Sequence, residues 1–501
     1  LTDNELLEIR YSGKPAAFLR AFKASYFAIL YNFIVMGWVI NAMASVVSVM
    51  LNMDKWTAVW LCVIIALVYA ILSGFWGVVI TDLVQFVIAM FGSISLAIIA
   101  LNYVGGMESL LEKLSNLVDT GIAHENTIRF IPPIPDQSIA EISFWESPFS
   151  KFLIFISIMW WSHHGTDGGG YIIQRMSSAK NEKHALLATL WFNLAHYALR
   201  VWPWIIVSVV SIVLFPIIPE AYSELGTKAG YPLVMNSLLG PGMKGILIVS
   251  FLAAFMSTID THLNWGASYL INDIYKRFFK PEASEKHYVL VGKLLTIILM
   301  VLAAFTSLKM QSISKAWEFI FSMGAGIGLV LILRWFWWRI NAWTEITALS
   351  VSIITTTTLE IIAAYQTITS GSEYTLFGNS PVLFGIPLQI HHKLLIIVPL
   401  SIISWLIMTF ITDPEPDEKL EEFYKRIQPG GWWGPITKNF QHTMQPVSEG
   451  FLIQWISGAL MIYGFTFGIG NLIFMNYSSS ILCFGCASIG SYMVWKRGIS
   501  K

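Results

Sequence analysis

The sequence has few charged residues and few cysteines. Only 12% of its 501 residues are Asp, Glu, Lys or Arg, whereas soluble domains carry about 25%, so an ordinary soluble multidomain enzyme is excluded. Its 31 basic and 31 acidic residues balance, and we expect no nucleic-acid partner. Three cysteines exclude a disulfide scaffold. Cys483 and Cys486 form a C-x-x-C spacing, but they lack the polar βαβ context of a redox motif.

Motifs for catalysis and for metal binding are also missing. The chain contains no P-loop, no G-x-S-x-G, no dinucleotide fingerprint and no HExxH. His163, His164, Asp260 and His262 are not accompanied by metal-ligand spacing, which argues against a metal centre. We therefore expect a protein that is not an enzyme and that needs no cofactor.

Apolar residues dominate what is present. They make up 55% of the chain, the mean hydropathy is +0.63, and 21 tryptophans suit membrane interfaces. A bilayer core requires roughly 20 apolar residues per helix. Twelve runs of suitable length are separated by charge clusters: 21–51, 56–76, 80–105, 149–175, 186–217, 240–271, 287–307, 314–338, 342–366, 391–412, 450–475 and 478–495.

With twelve spans, alternate loops lie on the same side of the membrane, and one set of loops holds about three times as many Lys and Arg residues as the other. Positive charge is retained inside, so we expect the set with more Lys and Arg to be cytoplasmic. Both visible termini and the loop 413–449 then lie inside, while 106–148 lies outside. Within that segment, 107–119 is amphipathic and predicts a surface helix, with a lid as the alternative. We expect one membrane domain over 1–501, multi-pass in the cell (inner) membrane, with the lipid bilayer as a partner.

Ionisable and polar residues inside apolar runs are candidate site residues because they are expensive to bury in lipid. In WWSHHGTDGGGYIIQR (160–175), three glycines, two histidines and Asp167 interrupt a helix. Glycine triplets favour local unwinding, and broken helices near the midplane form the binding sites of secondary transporters. The alternative is a flexible hinge whose histidines bond to neighbouring helices.

A second polar group lies in LAAFMSTIDTHLNWGASYLINDIY (252–275). Ser257, Asp260, Thr261, Asn264 and Ser268 recur at helical spacing and form a polar stripe. The Ser257 and Thr258 hydroxyls, with the carbonyl of Ala254 one turn earlier, offer hard oxygen ligands for sodium. The alternative is hydroxyls that bond back to carbonyls of their own helix.

Two further groups are smaller. Asp82 follows Thr81 at the cytoplasmic end of a run and predicts either an ion-exit carboxylate or a helix N-cap. His196 and Arg200 are one turn apart on the run 186–217. Because Arg200 lies deep, we expect it to pair with a buried carboxylate such as Asp167 or Asp260, forming an internal ion pair or a second ion site. Glu318 begins the run 314–338.

Three of these segments carry a family resemblance. GVVITDLVQ (77–85), YIIQRMSSAKNEKHA (171–185) and the segment 252–277 resemble, in order and separation, the solute:sodium symporter family, which includes sodium/glucose and sodium/proline cotransporters. The resemblance implies an all-α polytopic LeuT-like fold of two inverted five-helix repeats. It also implies a sodium site at Ala254, Ser257 and Thr258, with Asp82 near the sodium exit, and Na+ and a small organic solute as partners.

The repeats divide unequally. Segment 149–338 supplies a complete second repeat and 339–501 supplies additional C-terminal helices, but 1–105 supplies only three spans of a first repeat. The resemblance therefore implies that the first two core helices precede Leu1, together with half of the sodium ligands. We expect upstream spans in the native protein.

The resemblance implies a solute site but does not identify the solute. Family positions for solute contacts fall on Ser162, Gly165, His196 and Trp317, and none keeps the family's residue type. A sugar is the first expectation, because aromatic and hydrogen-bonding side chains such as Trp160, Trp161, Trp317, His163 and Asp167 suit polyols; Glu318 is a further candidate solute residue. A monocarboxylate or amino acid that meets Arg200 or His196 is the alternative. A solute sensor without net flux is a third possibility.

Overall fold

The structure is a computed structural model that describes residues 2, 4–72, 75–124, 127–134, 144–310, 312–372, 374–438 and 450–496. Helices account for almost all of its regular structure. In chain order they are α1 Glu5–Arg10, α2 Gly13–Leu51, α3 Lys55–Leu72, α4 Phe75–Tyr103, α5 Gly106–Asp119, α6 Pro148–Ser162, α7 Gly170–Ser177, α8 Glu182–Leu214, α9 Gly230–Leu238, α10 Pro241–Phe279, α11 Glu285–Lys309, α12 Ile313–Gly324, α13 Gly328–Phe336, α14 Ala342–Thr369, α15 Ile390–Ile411, α16 Asp417–Ile427, α17 Gly434–Thr437, α18 Phe451–Ile473 and α19 Tyr477–Val494.

Short irregular helical segments and one small sheet complete the description. A single 3-10 turn spans Phe144–Glu146, and a longer 3-10 segment covers Glu220–Ala229 before α9. Two-residue strands β1, Val382–Leu383, and β2, Ile386–Pro387, pair antiparallel between α14 and α15, with Val382 opposite Pro387.

Nine helices in the described part of the chain are long and apolar enough to cross a bilayer. They are α2, the Asp82–Tyr103 part of α4, α8, α10, α11, the broken pair α12–α13, α14, α15 and the Leu452–Ile473 part of α18. The chain is a multi-pass integral membrane protein.

The other three predicted spans are also helical where they are described. Run 56–76 forms α3, whose apolar part Lys55–Ala70 is shorter, and run 478–495 forms the 18-residue α19. Run 149–175 is interrupted, because α6 ends at Ser162 and α7 begins at Gly170. Gly168 and Gly169 between them have φ angles of 109° and 70°, which side chains disfavour.

The helices form two compact units. The first takes its described residues from 1–41, 131–174 and 261–449, and the second from 42–130, 175–260 and 450–501. The predicted external segment 106–148 and cytoplasmic loop 413–449 lie partly outside the described residues.

Each unit has its own apolar core. In the first, α6, α14 and α15 share a cluster that includes Ile154, Leu359 and Ile397. In the second, α4, α5, α8, α9 and α10 share a cluster, and Leu110 and Leu114 of α5 are buried in it. Segment 107–119 is therefore a helix with one face packed on the second unit.

A smaller cluster in the first unit joins α1 and α16. Phe423 of α16 and Trp433 pack with Leu6 and Ile9 of α1. The Arg10 guanidinium lies 5.1 Å from the centroid of the Trp433 ring. The first and sixteenth helices are thus joined by aromatic packing.

Candidate functional site

The predicted sodium ligands share one turn of α10, in the second unit. Ala254, Ser257 and Thr258 are half-buried, and the Thr258 hydroxyl donates to the Ala254 carbonyl at 3.0 Å. One of the two hydroxyls therefore bonds to a carbonyl of its own helix, as the alternative interpretation predicted. An ion that uses both oxygens would have to displace this hydrogen bond.

Ser257 behaves differently, because its hydroxyl donates to the Oδ1 atom of Asp82 on α4. The other carboxylate oxygen, Oδ2, lies 3.5 Å from Nη2 of Arg175. The predicted exit carboxylate and the predicted sodium hydroxyl are therefore in direct contact.

The alternative role of Asp82 as an N-cap is wrong. Helix α4 begins at Phe75, so Asp82 lies two turns inside it, beyond the first amides that a cap can satisfy. The four oxygens of Ala254, Ser257, Thr258 and Asp82 thus come from adjoining turns of two helices. A hard monovalent cation favours such a set of carbonyl, hydroxyl and carboxylate oxygens.

The interrupted segment between α6 and α7, in the first unit, is held by its own side chains. The Gly165 amide donates to Nδ1 of His163 at 2.9 Å, and the Thr166 hydroxyl donates to the His163 carbonyl at 2.5 Å. Ser162 is fully buried at the end of α6, and its hydroxyl has no hydrogen-bond partner among the described residues. The unwinding predicted from the glycine triplet is present.

Asp167 in this segment forms an ion pair that the sequence did not predict. Its Oδ2 lies 2.5 Å from Nη2 of Arg334 on α13, and Nη1 of Arg334 lies 3.2 Å from Oε1 of Glu345 on α14. The expected pairing of Asp167 with Arg200 is thus corrected. Arg334 lies in the last turn of α13.

Aromatic rings surround the same segment and were also missed. The ring of His164 lies 4.8 Å from Tyr31 and 5.3 Å from Phe27, centroid to centroid, both in the π-helical turn Tyr26–Tyr31 of α2. A Cβ atom on Gly170 would lie 2.5 Å from Nε1 of Trp265, so only glycine fits against that indole. Trp265 lies in the segment 252–275 but outside the polar stripe predicted there.

Trp317 and Glu318, on the first turns of α12, reach this segment only indirectly. The Trp317 ring packs on Phe321 at 3.7 Å, and Phe321 in turn lies 5.5 Å from His163. Glu318 accepts a hydrogen bond from Lys315 of its own helix at 3.0 Å. A solute contact of Glu318 stays a prediction, and in this structure its carboxylate is paired.

His196 and Arg200 lie on α8 of the second unit. Nη2 of Arg200 is 3.4 Å from Nε2 of His196, and the Arg200 side chain is exposed. The ring of Phe192 stacks on His196 at 5.1 Å. Asp260, the other expected partner of Arg200, is buried, and their pairing stays a prediction.

Comparison with known proteins agrees with these features. The family model "Sodium:solute symporter family" matches residues 1–354. The chain belongs to the sodium:solute symporter family. Its family consists of transporters, in keeping with the missing catalytic motifs.

Individual relatives are distant. The chain is 26% identical over 366 residues to sodium/glucose cotransporter 1 of Oryctolagus cuniculus, covering 68% of this chain and 54% of that protein. It is 26% identical over 314 residues to the osmoregulated proline transporter OpuE of Bacillus subtilis, covering 60% of this chain and 56% of that protein. The chain thus spans about half the length of these relatives.

A solved structure shares the fold. A Na+-coupled sialic acid symporter in a substrate-bound outward-open state aligns with a TM-score of 0.57 at 17% identity, over 83% of this chain and 78% of that chain. The chain therefore has the LeuT-like fold implied by its sequence segments.

Proposed function

We propose that this symporter-family chain couples the entry of Na+ to the uptake of a small organic solute across the plasma membrane. The observation that carries the proposal is the contact of Ser257 with Asp82, beside the oxygens of Ala254 and Thr258. These groups lie on membrane-spanning helices, where oxygen clusters of this kind bind coupling ions. No cofactor besides Na+ is required.

Sodium can favour one state of the transporter only through different affinities for its two states. Here the Ser257 hydroxyl would exchange its hydrogen bond to Asp82 for the ion, and the carboxylate would compensate the ion's charge. The nearby Arg175 would then compete with Na+ for Asp82, which favours release of the ion on the cytoplasmic side.

A sugar is the solute class that we favour. Tyr31, His164 and Trp265 present ring faces and edges beside the interrupted segment, and sugar rings bind by packing on aromatic faces while their hydroxyls bond to polar groups. Several relatives are sodium/glucose cotransporters. Ser162, His163, Gly165, Asp167, Trp317 and Glu318 stay candidate solute residues.

The second candidate is a carboxylate-bearing solute, a monocarboxylate or an amino acid. It is favoured by the exposed Arg200 beside His196 in the middle of α8, because an arginine guanidinium binds a carboxylate by paired hydrogen bonds.

Uptake into proteoliposomes tests both the coupling to Na+ and the class of the solute. The full chain is reconstituted, and accumulation of labelled glucose, mannitol, lactate and proline is followed with an inward Na+ gradient and with K+ in its place. We expect one class to accumulate only with Na+. Solute-dependent thermal stabilisation without uptake would instead indicate a sensor.

Ser257→Ala tests the ion site. Loss of one ligand hydroxyl should raise the Na+ concentration for half-maximal uptake about tenfold, which corresponds to about 1.4 kcal/mol. Ser208→Ala is the matched control, because the exposed Ser208 hydroxyl bonds to the Trp204 carbonyl of its own helix at 2.8 Å. An unchanged Na+ requirement in Ser257→Ala would contradict the assignment.

A further inference from the structure

A second helix break lies in the first unit, between α12 and α13. Residues 325–327 form a turn where the sequence Gly324-Ala-Gly-Ile-Gly interrupts the membrane-spanning pair. Helix α14 follows after the short connection 337–341 and returns antiparallel along α12 and α13. A Cβ atom on Gly326 would lie 2.0 Å from Oγ of Ser352 and 2.3 Å from Oγ of Ser401. The turn of Gly326 is therefore packed directly against hydroxyls of α14 and α15.

Three hydroxyls near this turn are buried without partners. Ser322 of α12 and Ser352 of α14 are 0% exposed and Thr356 is 1% exposed, and none of the three has a hydrogen-bond partner among the described residues. A buried hydroxyl without a partner is costly, because it has lost its hydrogen bonds to water. Such groups in a native structure indicate a ligand or bound water.

Several other hydroxyls on the spanning helices donate to carbonyls of their own helix, although Ser48 and Ser307 are also buried without a partner among the described residues. Thr306, Thr367 and Ser404 each donate to the carbonyl four residues earlier, at 2.9, 2.8 and 2.8 Å respectively. The same back-bond is open to Ser352 and Thr356 in α14, yet neither forms it. Their hydroxyls are directed elsewhere.

The three hydroxyls fall at one place on the α12–α14 interface. Gly326 is opposite Ser352, Ser322 is one turn before Gly326, and Thr356 is one turn after Ser352. Because α12 and α14 are antiparallel, one turn back from Gly326 and one turn forward from Ser352 lead towards the same end of the helix pair. Ser322 and Thr356 therefore lie next to each other across the interface. Ser401, which donates to the carbonyls of Gly326 and Ala348, closes the third side.

The ligand that suits this cluster is a cation. Helix α12 ends at Gly324, so the partial negative charge of its C-terminus falls within a turn of Ser322. Hydroxyl oxygens are hard ligands, and no ammonium or guanidinium group belongs to the cluster. We propose that Ser322, Ser352 and Thr356 bind a monovalent cation, Na+, at the α12–α13 break. This site lies on the first unit, whereas Ala254, Ser257 and Thr258 lie on the second.

Equilibrium binding of 22Na+ to the purified full chain tests the site directly, at constant ionic strength with choline as the replacement cation. The variants are Ser257→Ala, the double variant S352A/T356V, and all three changes together. We expect about two ions per chain at saturation in the original protein and, below saturation, a clear loss of binding in each partial variant, because each has one weakened site. The combined variant should bind the least. Ser404→Ala, whose exposed hydroxyl bonds to Leu400, is the control and should behave as the original.

The outcomes separate this proposal from the proposed function. Equal 22Na+ binding by S352A/T356V and the original chain would overturn the new site and would identify the cluster as a place for bound water. If binding falls in S352A/T356V but not in Ser257→Ala, the α10 site fails and the new one stands. The ion retained by S352A/T356V, bound at Ser257, also verifies that this variant is folded.

Discussion

Arg334 and Asp167 are joined by a buried ion pair of 2.5 Å, and Arg334 also holds Glu345 at 3.2 Å. The Arg334 side chain is only 5% exposed. Glu345 in addition accepts a hydrogen bond of 2.6 Å from Tyr11, whose pKa is raised well above its usual value by burial. One guanidinium thus connects the unwound segment between α6 and α7 to the beginning of α14.

Replacing Arg334 with methionine should destabilise the protein by about 3–5 kcal/mol, because two buried carboxylates would lose their cation. The thermal unfolding midpoint in detergent measures the effect. R334M/D167N should recover part of the loss, since Asp167 would no longer be a buried unpaired carboxylate and Glu345 keeps Lys23 at 3.8 Å.

Arg426→Met is the control for that series. Arg426 pairs with Glu422 at 2.8 Å, but both side chains are more than half exposed. Exposed pairs contribute little, so its midpoint should match that of the original chain. If Arg334→Met lowered the unfolding midpoint as little as Arg426→Met does, the stabilising role given to the buried ion pairs of Arg334 would be refuted.

Gly328→Ala should be strongly destabilising. A Cβ atom there would lie 2.4 Å from the Trp161 carbonyl oxygen and 2.5 Å from the Ser162 carbonyl carbon, and backbone atoms have little freedom to move aside. Gly485→Ala is the matched control, because that helical glycine has open space around it. There alanine should stabilise by up to about 1 kcal/mol. Thermal unfolding of both variants checks the contrast.

Arg10→Met should loosen the aromatic cluster that joins α1 and α16. Arg10 donates to the carbonyls of Arg334 and Ile340 at 3.1 and 3.0 Å, and its guanidinium lies over Trp433. We expect a loss of about 3 kcal/mol and faster proteolysis near α16. Arg10→Lys should rescue little, because an ammonium lacks the planar fork. Lys14→Met, at an exposed position, should leave both measurements unchanged.

Lys228, in the 3-10 segment before α9, should make stability depend on pH. Burial, with repulsion from Lys55 second, lowers its pKa from 10.5 to about 8. Between these values the unfolded chain binds a proton that the folded chain has released, so stability should rise as pH increases from about 8 towards 10.5. Lys228→Gln should therefore be more stable than the original chain at pH 7. The difference in stability should decrease as the pH rises from about 8 to 10.5. A pH-independent difference between the two unfolding midpoints would contradict this.

The family and the helical fold could be predicted because their signals are local. Apolar runs, loop charges and segments such as GVVITDLVQ can be recognised without knowledge of the tertiary contacts. The interruption at Gly168–Gly170 could be predicted for the same reason, since glycine acts through its own φ and ψ angles.

Partners across space could not be predicted. No local sequence signal joins Arg334 to a partner, and only packing brings it to Asp167 and Glu345. Asp82 illustrates the same limit, because its role depended on where α4 begins and on Ser257 lying opposite it. The predicted count of twelve spans likewise included 149–175, which the structure divides.

Composition and periodicity determined that this chain lies in a membrane and is helical, because hydrophobic burial in lipid and local backbone preference act over one helix at a time. The solute transporter family was indicated by the resemblance of segments such as GVVITDLVQ. Only the tertiary structure decided which polar groups satisfy one another. In a low-dielectric interior an unpaired charge is costly, and the partner of each buried charge is fixed by helix packing between residues as distant in sequence as Asp167 and Arg334.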